Sequence, residues 1–144
     1  MAANPMFAAL GQRLPLLAAA LWWGSLSVIG FMAVPLLFAN LPTRMQAGNM
    51  AAHLFAAQTY VSMACCLCLL ICAKSRHAAR EYDWARDALV FVIAGLLLAL
   101  LIQYGVAPRI VARQNLKLWH PAGSLMYALQ WLCALATLWR LGRR

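Results

Sequence analysis

Carboxylates are nearly missing from this chain. Three Asp and Glu stand against twelve Lys and Arg, and all three acids, Glu81, Asp83 and Asp87, fall in one short stretch beside Arg80 and Arg86. No acid lies inside an apolar run, which removes the carboxylate relays of proton-coupled transport and the paired carboxylates of general acid–base chemistry. A Ser/His/Asp arrangement and a glycine-rich phosphate loop are missing too, so neither acyl transfer nor nucleotide hydrolysis has visible machinery. Long polar stretches are equally scarce. With 65% hydrophobic residues and a mean hydropathy of +0.75 over 144 residues, no room is left for a soluble catalytic domain.

What the chain has instead is four long apolar runs, 14–41, 47–73, 88–106 and 121–138. A hydrocarbon core about 30 Å thick is crossed by roughly 20 apolar residues at about 1.5 Å rise, so each run has the length of a membrane-spanning helix. Backbone in lipid must satisfy its own hydrogen bonds, which leaves helices or a closed barrel. Barrel strands alternate apolar and polar residues, and the run Cys65-Cys66-Leu67-Cys68-Leu69-Leu70-Ile71 does not alternate. The expected fold is all-α: one polytopic domain over 1–144, a four-transmembrane-helix bundle with spans near 14–39, 47–73, 87–106 and 121–140.

The formal net charge of +9 does not point to nucleic acid. The basic residues cluster where chain leaves lipid and form no stripe interleaved with aromatics. Four spans put both ends on one side with the middle loop, so Arg13, the basic residues between Lys74 and Arg86, and Arg140, Arg143 and Arg144 share a side. Arg44, Arg109, Arg113 and Lys117 hold the other, with half as many charges. The positive-inside rule then places both termini in the cytoplasm of a bacterial-type inner membrane. The first run is too long for a signal-peptide core and is expected to be retained as a span.

Local signals refine the spans. Pro15 is expected near a helix start, whereas Pro35 lies deep in the first run, removes the bond to residue 31 and predicts a kink. Thr43 and Gln46 have capping-box spacing for the second helix. Gly105 with Pro108 beyond reads as a stop for the third, and His120-Pro121 as the opening of the fourth, bracketed by Trp119 and Trp139. The loop from Lys74 to Asp87 reads as a solvated turn anchored by Tyr82 and Trp84.

Helical spacing groups the candidate functional residues. His120, Gly123, Tyr127, Gln130 and Ala134 share one face of the fourth helix, Gly95, Ala99 and Gln103 one face of the third, and His53, Ala57, Tyr60 and Ala64 one face of the second. All three faces are expected to look inward. Gln103, Tyr127 and Gln130 either hydrogen-bond between helices or, with His120, Arg109 and Arg113, line a polar pocket at the outer end for an anionic lipid headgroup or small anion. His53 and His120 stand at the outer level, where the two could ligate one haem b iron or, with Met50 or Met126, copper; otherwise each has an interfacial or helix-capping role, and no metal or cofactor is expected. Cys65, Cys68 and Cys72 recur on one helical face, with Cys66 beside them and Cys133 distant, and read as small packing residues. Ala20, Gly24, Ser27 and Gly30 form a small-residue ridge that packs within the chain or joins two copies in a homo-oligomer.

Three segments carry a resemblance. Gly30-Phe31-Met32-Ala33-Val34-Pro35-Leu36-Leu37-Phe38-Ala39-Asn40-Leu41-Pro42, followed by Gly48 and Phe55, is the most specific. Tyr104 with Ala107-Pro108-Arg109-Ile110 is the second, and Leu118-Trp119-His120 with Ser124 and Gln130 the third. Together they resemble the four-helix transmembrane protein 205-like family over about residues 20–135. The resemblance implies a four-helix membrane fold with a shared domain of unknown function. It marks Phe31, Pro35, Phe38, Pro42, Gly48, Phe55, Pro108, Arg109 and His120 as positions to follow. Eukaryotic members are associated with platinum-drug resistance and secretion, which implies a metal-handling or trafficking role. A more distant similarity, through interfacial histidines in a small bundle, is to membrane haem-dependent protoporphyrinogen oxidases and copper-resistance proteins, although the first span here has no histidine. The reading is a non-enzymatic membrane scaffold or small-solute or metal-related factor, with a haem- or copper-binding oxidoreductase as the alternative.

Overall fold

The apolar runs wind into helices whose ends are set by prolines and by one left-handed turn. The computed structural model describes the backbone of residues 5–78 and 83–143, and side chains within 12–75 and 88–143. Helix α1 covers Pro5–Val28 and passes through a π turn, Ile29–Ala33, into α2, Val34–Asn40. Helix α3 covers Arg44–Ala78. Helix α4, Asp83–Leu100, passes through a second π turn, Leu101–Val106, into α5, Ala107–Val111. Helix α6 covers Leu116–Gly142. Four stretches are long and apolar enough to cross a membrane: Gln12–Asn40, Arg44–Ser75, Ala88–Val111 and Leu116–Gly142. The structure is all-helical, a bundle of four candidate spans.

Both π turns have the same cause. A proline inside a helix lacks an amide hydrogen, and its ring clashes with the carbonyl four residues back. Ahead of Pro35 the ladder widens, so that Val34 N–H donates to the Ile29 carbonyl; ahead of Pro108, Ala107 N–H donates to the Ile102 carbonyl. One extra residue is absorbed in each turn, and the helix continues instead of ending. This corrects one expectation: the third span does not stop at Gly105 but runs to Val111. At Pro35, where a kink was expected, the helix continues through a π turn.

Two further helix starts move outward. Helix α6 begins at Leu116, so Pro121 lies inside it and not at its opening position; α1 begins at Pro5, and Pro15 is a buried interior residue. Gln46 N–H does donate to Thr43 Oγ1, at 3.2 Å, capping α3. The loop expected over Lys74 to Asp87 is partly helical, since α3 runs to Ala78 and α4 starts at Asp83. Tyr82 and the side chains of Arg80, Glu81, Asp83, Trp84, Arg86 and Asp87 lie outside the described residues.

The turn between α5 and α6 is a Schellman closure. Gln114 N–H donates to the Arg109 carbonyl at 2.9 Å and Arg113 N–H to that of Ile110 at 3.0 Å, which places Arg113 in the left-handed position with φ 55°. Asn115 follows at φ 40° and caps α6, its carbonyl accepting from Leu118 and Trp119 N–H. Asparagine tolerates that region; arginine at Arg113 does not gain from it.

Each span packs on the next, and α6 closes the ring against α1. Side chains then bridge the diagonals. Fully buried Trp22 of the first span reaches Gly95 of the third, where an added Cβ would stand 2.5 Å from Trp22 Cη2 and 3.3 Å from Cys133 Cβ. Gln130 of the fourth reaches Ser62 of the second. Trp22, Leu26, Cys65, Cys66, Leu69, Val92 and Ala134 form the core around these bridges. The outer surface carries Leu21, Phe31, Ile71, Val90, Leu97, Leu125 and Leu132, a belt that only lipid or another apolar surface can cover.

Candidate functional site

Polar side chains meet at the middle of the bundle. Gln58, 5% exposed, donates through Nε2 to Ser25 Oγ at 2.9 Å and to Ser62 Oγ at 3.4 Å. Gln130, 3% exposed, donates through Nε2 to the same Ser62 Oγ at 3.0 Å. Three of the four spans are thus joined by one hydrogen-bonded chain, Ser25–Gln58–Ser62–Gln130. Two more links tie the first span to the fourth. Tyr127 Oη donates to the Leu26 carbonyl at 2.8 Å, and Trp131 Nε1 to Ser27 Oγ at 2.8 Å. In lipid the helices gain nothing further from burying apolar area, so close packing and bonds of this kind decide which faces meet.

Above this layer, on the side of the Arg44 and Arg113 turns, aromatic rings and the π turns pack together. Phe31 meets Trp131 edge-on at 5.6 Å and Phe55 meets Tyr127 edge-on at 5.2 Å. The two π turns rest on successive turns of α6. Gly30 of the first lies under Tyr127, and Gly123 of α6 faces Val106 of the second, where an added Cβ would stand 3.2 Å from Val106 Cγ1.

The residues grouped from sequence separate by level. Gln130 is buried and Tyr127 half-buried, both in interhelical bonds; Gly95, Ala99, Gly123 and Ala134 are buried, and Gln103 is half-buried in the second π turn. His120, Arg109 and Arg113 are exposed at the end of the bundle that holds the Arg44 and Arg113 turns. There the Arg109 guanidinium sits 4.5 Å over the Trp119 ring and donates to the Gly105 carbonyl. Of the small-residue ridge, Ser27 and Gly30 are used within the chain by Trp131 and Tyr127, whereas Gly24 meets nothing within 4 Å of an added Cβ.

One face is corrected. His53, Ala57, Tyr60 and Ala64 are all exposed; the inward face of α3 runs through Ala47, Ala51, Gln58, Ser62, Cys66, Leu69 and Ala73. The alanines misled the assignment, since alanine suits either face. The pair Gln58 and Ser62, one turn apart in an apolar run, was the signal that mattered, because both need partners lipid cannot supply. Ser25, Trp22 and Trp131 carry no spacing signal in the sequence. His53 and His120 are both exposed, and among the described residues no group of three or more His, Cys, Asp or Glu could hold a metal ion. Cys65 and Cys66 are buried and Cys68, Cys72 and Cys133 half-buried, with no disulfide among them.

Four apolar spans, a lipid-facing belt and an interior joined by amide, hydroxyl and indole bonds define a multi-pass four-helix membrane protein. Residues 17–117 match the family described as a domain of unknown function (DUF4149), and the chain belongs to that family. The matched stretch takes in the first three spans and the outer turn, so Tyr127 and Gln130 lie beyond it. No curated protein and no solved structure matches the chain.

Proposed function

We propose that this protein is a non-enzymatic scaffold of a bacterial-type inner membrane, with both termini cytoplasmic, acting through the surfaces it offers to lipid and to other membrane components. The observation that carries the reading is the use of the interior polar groups: the amides of Gln58 and Gln130, the Tyr127 hydroxyl and the Trp131 indole all donate to other helices. Donors so engaged hold helices together. At the outer end, Arg44, Arg109, Arg113 and Lys117 form a basic rim in which Arg109 is braced on Trp119, suited to anionic headgroups.

Kinship with the transmembrane protein 205-like family belongs to the same proposal. Its support is that Phe31, Phe55 and Arg109 make ring contacts in the outer half while Pro35 and Pro108 follow the two π turns. The test is the visible spectrum and copper content of protein purified in mild detergent. Colourless protein with sub-stoichiometric copper is expected. A Soret band at near-full occupancy, or one copper per chain, would overturn the scaffold reading in favour of a haem- or copper-binding oxidoreductase.

A further inference from the structure

Between the first and second spans lies a groove of about 480 Å³, lined chiefly by Leu21, Gly24, Val28, Leu54 and Val61, with Ser25 and Gln58 in its wall. Among the described residues nothing fills it: a Cβ added to Gly24 meets no atom within 4 Å, and Leu21 and Val28 are exposed. A cleft of this kind in lipid takes up apolar chains of any sort unless something polar selects among them.

Gln58 is that polar element. Ser25 Oγ donates its one proton to the Trp22 carbonyl at 3.0 Å, so it must accept from Gln58, which fixes the amide nitrogen toward Ser25. Both bonds that Gln58 makes use Nε2, and among the described residues its amide oxygen receives no donor. The sealed, unpartnered polar atoms among those residues are the indole nitrogens of Trp22 and Trp23. The Gln58 oxygen therefore keeps access to space, and the space that Gln58 lines is the groove. On a residue 95% removed from solvent, this bare acceptor beside a cleft is open to a donor from outside the chain.

Depth narrows what can bring that donor. Ser25 and Gln58 lie near the midpoints of the stretches Gln12–Asn40 and Arg44–Ser75, roughly 20 Å along the helix from either end at about 1.5 Å per residue. A phospholipid headgroup is held at the interface, about 15 Å from the bilayer centre, and does not reach. We infer that the groove binds a neutral, membrane-dissolved molecule with an apolar body and a hydroxyl that donates to the Gln58 amide oxygen, the chemistry of a phenol, a quinol or a lipophilic alcohol. This site does not depend on the scaffold reading, because it needs neither a metal nor a reaction.

The test uses the full chain in lipid nanodiscs and two photoreactive probes, an alkylphenol carrying a diazirine and its methyl ether, which differ only in the donor. Cross-links mapped by peptide mass spectrometry should fall on Leu21, Val28, Leu54 or Val61, with the phenol labelling about tenfold more than the ether at equal membrane concentration. Gly24→Leu, which fills open space and leaves the packed faces alone, should abolish groove labelling; Gln58→Leu should leave phenol and ether equal. Equal labelling of the wild-type groove by both probes, labelling only elsewhere, or labelling that survives Gly24→Leu would overturn the inference.

Discussion

The Tyr127 ring lies on the bare Cα of Gly30, so closely that a Cβ there would stand 2.5 Å from Tyr127 Cε1. The ring cannot swing aside without giving up the bond from its hydroxyl to the Leu26 carbonyl. Gly30→Ala should therefore destabilise the bundle by about 1–3 kcal/mol, the usual cost of overpacking. Unfolding in detergent measures this, and Tyr127→Leu in the same chain should restore part of the loss relative to the sum of the two single changes. Strict additivity would show that the ring and the glycine do not meet.

Gly95 stands in the same relation to Trp22 across the bundle axis. Gly95→Ala meets a fully buried indole on one side and Cys133 on the other, and a loss of about 1–3 kcal/mol is expected in the same assay. Gly24→Ala, by contrast, meets open space and should be neutral or slightly stabilising, since alanine is the better helix former by about 1 kcal/mol.

The outer turn predicts a gain. Arg113 occupies the left-handed position that closes α5, and an L-residue with a Cβ costs roughly 1–2 kcal/mol there. Arg113→Gly should raise stability by up to about 1 kcal/mol after the larger entropy of the unfolded glycine chain is counted. A lower melting temperature for this variant would mean that the arginine side chain contributes more than its backbone costs.

Orientation follows from the basic residues. A periplasmic phosphatase fused after Arg144 should be inactive, and a cytoplasmic reporter fused there active. The reverse pattern would place the twofold excess of charge outside and remove the cytoplasmic assignment.

The four spans were legible because lipid imposes one demand on every backbone group, and runs of about 20 apolar residues answer it. Most of the inward face of α6 was legible for the same reason, since Gln130 in an apolar run needs a partner; His120, expected on that face, is exposed. Proline was misread at Pro108 and Pro121 because signals learned from helices in water treat it as a boundary. Ahead of Pro108 an i−5 bond keeps the ladder going, and Pro121 lies within α6. The face of α3 was misread through small residues, which fit equally against a neighbour or against lipid. The crossing of Trp22 to Gly95 had no local signal at all, since it depends on which helices stand on the diagonal.

The account rests most heavily on the shared hydroxyl of Ser62, where Gln58 and Gln130 converge. A double-mutant cycle with Ser62→Ala and Gln130→Leu, read by reversible unfolding in lipid–detergent micelles, measures that link directly. If the interior polar groups exist to hold the spans together, the coupling should be favourable at about 0.6 kcal/mol and up to about 1.7 kcal/mol. A coupling of zero, with both single variants as stable as the parent, would contradict a bundle joined through its polar centre.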